Sequence, residues 1–256
     1  MTQLPTIGFD RRVRLEWLDA LASKHARGAN AKELRDIGHR LLKRQYPSKV
    51  ARGKTLTVIF HLWITVPKHA ITVRNAAAEL LNHLNPEERG ALHWGLAVAT
   101  YPFFRDAADA AGRLLALQGN LSLTQLRRRL LARWGHRSTA NRAVQRIVRT
   151  WIDWGIIRET DKPGTYSRAV PIKVEGQLAT LLIEALLVGG DTESVPFSKL
   201  KTSPVLFPFQ LNATLSDLRR AAYLSIHRQG GDEDVVSRRD LPKASKETAI
   251  QFHPRA

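Results

Sequence analysis

Apolar residues recur at three- and four-residue spacing through Ala140, Val144, Ile147, Val148, Trp151 and Trp154, which gathers them on one face of a helix. The opposite face carries Ser138, Thr139, Arg142, Gln145, Arg146 and Arg149, with no carboxylate from Ser138 until Asp153. Ser138 is suited to cap this helix through its hydroxyl. Gly155 stands where a helix exit asks for positive φ, and Ile156 and Ile157 start a run of strand propensity. Asp161, Lys162, Pro163 and Gly164 supply turn chemistry. A strand over Thr165 to Val174 is expected to place Val170, Ile172 and Val174 on one face, with Pro171 confining it to a sheet edge.

The segment before it is equally periodic. Ser122 and Gln125 have the spacing of a capping box. Leu123, Leu126, Leu130, Leu131 and Trp134 form the apolar face of the helix they open, Gly135 ends it, and His136 and Arg137 make a short connection. Arg127, Arg128, Arg129 and Arg133 fall on its outer side. Two helices joined by a short turn and followed by a hairpin are the order of a winged helix-turn-helix.

Elsewhere the pattern is again helical. Asp10 is placed to cap a helix carrying Val13, Trp17, Leu18, Leu21 and Ala22 up to Gly28, and Asn30 with Glu33 opens another that runs through Leu34, Ile37, Leu41 and Leu42 to Pro47. Thr55 to Val66 is rich in β-branched residues but sits among helices and reads as one. Helices from Ile71 to about Leu84, from the Asn85-Pro86-Glu88 start to Ala99, and from Phe103 to Leu117 complete a bundle. Leu178 to Val188 reads as a buried amphipathic helix containing Glu184, and Leu211 to Ile226 as a helix. Val235 to Ser237 suits a short strand. The hydrophobic run Pro204 to Phe209 is expected to cover the protein's own core.

The expected architecture is therefore mainly α. It divides into a basic helical segment at 1–54, a bundle at 55–119, a winged helix-turn-helix at 120–175, a C-terminal helical segment at 176–244 and a disordered tail at 245–256.

Charge sharpens this picture. The net charge is +17 over 256 residues, and it is concentrated: +8 in residues 1–54, −1 in 55–112, +9 in 113–168 and +1 in the remainder. A basic surface beside a helix that fits the major groove is the electrostatic footprint of a DNA binder. Arg142, Gln145, Arg146 and Arg149, with Ser138 and Thr139, are the residues expected at the groove, since Arg pairs with guanine and Gln with adenine. Arg127, Arg128, Arg137, Lys162 and Arg168 are expected at phosphates, and Arg11, Arg12 and Arg14 extend the footprint.

Other chemistries find little support. The chain has no cysteine, so it has no disulfide and no thiolate zinc ligand, which suits a reducing, cytoplasmic setting. Met1 to Arg14 lacks an apolar core of signal-peptide length, and no charge-free apolar run reaches the length of a membrane span. Gly53-Lys54-Thr55 has the ending of a phosphate-binding loop, yet Ser48 stands where that motif needs glycine. The nine histidines show no metal-binding spacing, and His93 beside Trp94 reads as a packed helix residue. Carboxylates are sparse in the basic segments, against a two-metal nuclease. No catalysis, cofactor or metal is expected. Asp232, Glu233 and Asp234 read as an exposed loop.

The helical bundle, Trp134-Gly135, Ser138-Thr139, Asp153-Trp154-Gly155-Ile156-Ile157 and Leu206-Phe207-Pro208-Phe209 together give a layout distantly similar to the small helical DNA-binding component, of BrxA type, of BREX phage-defence systems. The resemblance covers roughly residues 55–210 and leaves the basic N-terminal extension unmatched. It implies a cytoplasmic, non-catalytic protein that binds double-stranded DNA beside other defence-system proteins. A protein-docking module and an RNA binder remain alternative readings of the same basic stripe. Trp134, Trp151 and Trp154 fall on buried sides, which argues against base stacking.

Overall fold

The computed structural model describes residues 6–190, 192–230 and 233–239. The expected tail at 245–256 and Asp232 lie outside the described residues. Glu233 and Asp234, expected in a loop, begin a strand instead.

The described residues are mainly helical, with three small sheets. The N-terminal helices are α1 (Leu15–Ala26), α2 (Ala31–Leu41), α3 (Lys49–Trp63), α4 (Ile71–Leu80), α5 (Pro86–Thr100) and α6 (Pro102–Gln118). Next come β1 (Asn120–Ser122), α7 (Leu123–Trp134), α8 (Ser138–Asp153), β2 (Ile157–Glu159) and β3 (Thr165–Arg168). The C-terminal part holds β4 (Ile172–Glu175), α9 (Gly176–Gly189), β5 (Ser194–Pro196), α10 (Phe197–Lys201), β6 (Phe209–Asn212), α11 (Leu215–Arg219), β7 (Leu224–Gln229) and β8 (Glu233–Arg238).

Local chemistry sets the best-defined helix starts. Asn30 and Asn85 each accept from the backbone amide three residues on, while Glu33 and Glu88 return the bond to the cap's own amide. The Thr55–Val66 stretch is helical, as its neighbours suggested, but the helix begins at Lys49 behind a Ser48 cap and so crosses the boundary expected at residue 54. Asp10 does not cap α1. Residues 6–14 belong to neither helix nor strand, Arg14 occupies the cap position, and Val13 is buried without being helical. At Gly8 φ is +69°, and a Cβ there would stand 2.7 Å from the Tyr101 ring, so only glycine lets this segment lie against α5's end.

One apolar core includes residues from Ile7 to Val236. Its aromatic centre is Trp94 on α5, whose ring lies 5.0–6.4 Å from those of Phe104, Trp151, Trp154, Phe207 and Phe209. The Trp94 indole donates to the Val205 carbonyl at 3.2 Å. The 204–209 run thus covers the protein's own core and locks the C-terminal part against α8. Helix α9 packs along α5 and is buried nearly all round, Glu184 included, rather than on one face.

The region after residue 165 departs most from expectation. The single strand over 165–174 is broken: β3 ends at Arg168, Val170 is 76% exposed, and β4 pairs in parallel with β6. The helix expected over 211–226 is reduced to the five residues of α11, and β7 and β8 form a hairpin joined by β5. Among the described residues no single helix is long and apolar enough to cross a membrane.

Candidate nucleic-acid interface

Strands β1, β3 and β2 form an antiparallel sheet in that order, so the strand expected at an edge, β3, is central. Strand β1 is a three-residue element without a sequence periodicity of its own. It closes the sheet on α6 and delivers Ser122 to the start of α7, where the hydroxyl accepts from the Gln125 amide at 3.4 Å. Only half of the expected capping box forms, because the Gln125 side chain accepts instead from Gln118.

Helix α7 is tied to α6 through Asp106. This buried carboxylate accepts from the Trp134 indole at 2.8 Å and from Arg133 at 3.0 Å. Arg133 is thus partly committed to holding the fold. A three-residue turn, Gly135 to Arg137, leads to α8; Arg137 rather than Ser138 is the cap position, and Ser138 is the first helical residue. The apolar face of α8 is buried as its spacing requires: Ala140, Val144, Ile147, Val148 and Trp151, followed by Trp154 at the cap. Gly155, at φ +68°, turns the chain into β2.

The polar face of α8 falls into two parts. Ser138, Thr139, Arg142 and Gln145 are exposed, and Arg142 makes only a long contact, 3.4 Å, to Ser138. Beyond them the N-terminal segment crosses the helix. Arg146 is half-buried and donates to the Asp10 carbonyl at 2.6 Å. The Val13 amide donates to Thr150 Oγ1 at 3.0 Å, and the Trp154 indole donates to the Val13 carbonyl at 2.9 Å. Arg12 holds Asp153 in a two-pronged ion pair at 2.5 and 2.6 Å, and that hydrogen bond keeps the Arg12 guanidinium above its ordinary value despite its desolvation.

These contacts correct the expectation that Arg142, Arg146 and Arg149 project together into solvent. Arg146 is partly enclosed by the chain's own N-terminus, and Arg149 is exposed but paired with Glu159 at 2.8 Å. Arg12, expected at a phosphate, is committed to Asp153, and Arg14 contacts Glu16 and Gln45. Arg11 remains close to α8 beside Asp10.

The residues expected at phosphates are distributed around this helix pair. Arg128 is exposed and Arg127 half-buried on α7; Arg137 donates to the Trp134 carbonyl at 3.3 Å; Lys162 is exposed in the β2–β3 turn, and Arg168 at the end of β3. Arg158 is a further exposed cation on β2, opposite Ser167 in register. Strand alternation from the buried Ile157 could have indicated it. Between Asp109 and Asp153 the chain has no carboxylate, so α7 and the outer face of α8 before Asp153 contribute cations and no acidic residue of their own.

No family model, curated protein or solved structure matches the chain.

Proposed function

We propose that α6, β1, α7, α8, β2 and β3 constitute a winged helix and that the protein binds duplex DNA without catalysing a reaction on it. The supporting order is helix, strand, helix, helix, strand, strand, with a sheet arranged β1-β3-β2 and Lys162 in its hairpin turn. The observation that carries the reading is the exposed, carboxylate-free row Ser138, Thr139, Arg142 and Gln145 at the start of α8. In helix-turn-helix proteins the N-terminal residues of the second helix meet base edges. Arg142 and Gln145 take the reading role here, and Arg127, Arg128, Arg158, Lys162 and Arg168 the phosphate roles. Arg146 and Arg149 are secondary because each already has a partner.

Arg142→Ala tests this. It is expected to weaken duplex binding by about 1–3 kcal/mol if the residue reads a base, measured by fluorescence anisotropy at several salt concentrations. An unchanged affinity with an intact circular dichroism spectrum removes α8 from the interface. The distant resemblance of the sequence to the BREX component extends the proposal to an accessory factor of a bacterial phage-defence system, and the genes flanking the coding sequence test that extension.

A further inference from the structure

A cavity of about 320 Å³ opens where the N-terminal segment, the start of α3 and the middle of α8 meet. Its walls include Arg11, Arg12, Tyr46, Ser48, Lys54 and Arg146. Three separate stretches of chain therefore deliver four cations and, with Thr55, three hydroxyl-bearing residues to one concavity. Asp10 and Asp153 are the nearby carboxylates, and each is already occupied, Asp10 by Arg11 at 3.1 Å and Asp153 by Arg12. Two positive charges are left over. The Lys54 ammonium makes no hydrogen bond or ion pair among the described residues. Arg146 spends one nitrogen on the Asp10 carbonyl, which offers no countercharge.

The cavity is a set feature of the fold rather than a gap between loose side chains. The Tyr46 hydroxyl donates to the Arg12 carbonyl at 3.3 Å, and Arg52 donates to the carbonyls of Tyr46 and Pro47 at 2.8 and 2.6 Å, which fixes the turn before α3. Burial and the nearby Arg11 both hold the Arg146 guanidinium below its ordinary value, Arg142 adds to this, and Asp10 opposes it. A charged group so placed gains from an anion that enters and neutralises it.

We propose that this cavity binds a phosphoryl group, taking its oxygens between Arg11, Lys54 and Arg146 with Ser48 at the rim. The two uncompensated charges match a phosphate monoester dianion or one phosphodiester with room to spare, and the volume is at the lower end of small-ligand sites. Because Arg146 lies one helical turn beyond Arg142, the cavity adjoins the row assigned to DNA. The proposal deepens that reading where the phosphoryl group is part of a duplex backbone, and it stands apart from it where the group belongs to a free phosphorylated molecule.

The experiment uses the full chain, its Arg11→Ala/Lys54→Ala double variant and a Lys54→Arg variant. The probes are inorganic phosphate, a nucleoside 5′-monophosphate and a duplex oligonucleotide. A saturable rise in unfolding temperature with phosphate or the monophosphate is expected for the parent and Lys54→Arg, and its loss in the double variant. If a backbone phosphate occupies the site, the double variant also binds duplex more weakly, and its logarithmic salt slope falls by about 0.9 for each phosphate that is no longer neutralised. A phosphate response that depends on these residues in a protein that binds no duplex sinks the DNA reading and leaves the cavity as a site for a free phosphorylated ligand. Phosphate and monophosphate responses identical in parent and double variant, with equal salt slopes, overturn the proposal.

Discussion

From Ser138 to Gln145 the polar face of α8 meets solvent, whereas from Arg146 to Asp153 the same face carries residues 10–13 of the chain's own N-terminus. Both stretches come from one repeating pattern of apolar and polar positions. The difference lies in what a distant segment does with the hydrogen-bonding capacity left over. Arg146, Thr150 and Asp153 fall on successive turns and offer a donor, an acceptor and a carboxylate to one irregular segment, and Trp154 at the helix end anchors it. Ser138 to Gln145 offers hydroxyls, a guanidinium and amides but no carboxylate, and none of residues 6–14 hydrogen-bonds to it. The helix is thereby held at one end and exposed at the other, the arrangement that the proposed insertion of its leading turns into a groove would require.

The strongest way to break this contrast is to remove what holds the trailing half from below. Trp151 is fully buried against Trp94, Phe104 and Phe207. Trp151→Ala is expected to cost about 3–5 kcal/mol of stability, read as a shift in urea midpoint. A loss below about 1 kcal/mol means that the aromatic cluster does not secure α8.

A smaller effect separates the strap from the helix. Asp153→Asn keeps the shape of the side chain but removes the charge that Arg12 grips, and it is expected to cost about 1–3 kcal/mol. The signature is local: amide hydrogen exchange should accelerate in residues 10–14 and around Thr150, and change little from Ser138 to Gln145. Equal acceleration in both halves means that the strap does not distinguish them.

How much of this was legible depended on the range of the interaction that decides each element. The caps at Asn30 and Asn85 are settled within four residues, and both read correctly. The buried stripe from Ala140 to Trp154 follows from helical spacing alone, and so does the exposure of Arg142 and Gln145. The strap shows the opposite case. Phe9 and Val13, four residues apart, imitate a helix face, yet both are buried from non-helical backbone because Phe9 packs on Tyr101 and Phe104 and the Val13 amide goes to Thr150, 137 positions away. Nothing within the first fourteen residues announces that partner. Strand β1 is too short to show a period, and the parallel pairing of β4 with β6 joins segments whose local patterns say nothing of each other. The polar face of α8 was therefore readable, while its division into a free and a covered half required the fold.

The finest test concerns Arg149, which stands at the border between the halves. It is exposed yet joined to Glu159 of β2 at 2.8 Å. An exposed pair of this kind contributes only about 0.2–1 kcal/mol, so Glu159→Gln should leave stability nearly unchanged. It also removes a negative charge next to the α8 face and releases a guanidinium toward it. Duplex affinity is expected to rise by a few-fold at low salt, with the gain fading as salt screens the added attraction. If affinity falls instead, Glu159 is orienting Arg149 toward the nucleic acid, and the boundary between the two halves belongs one turn further along the helix.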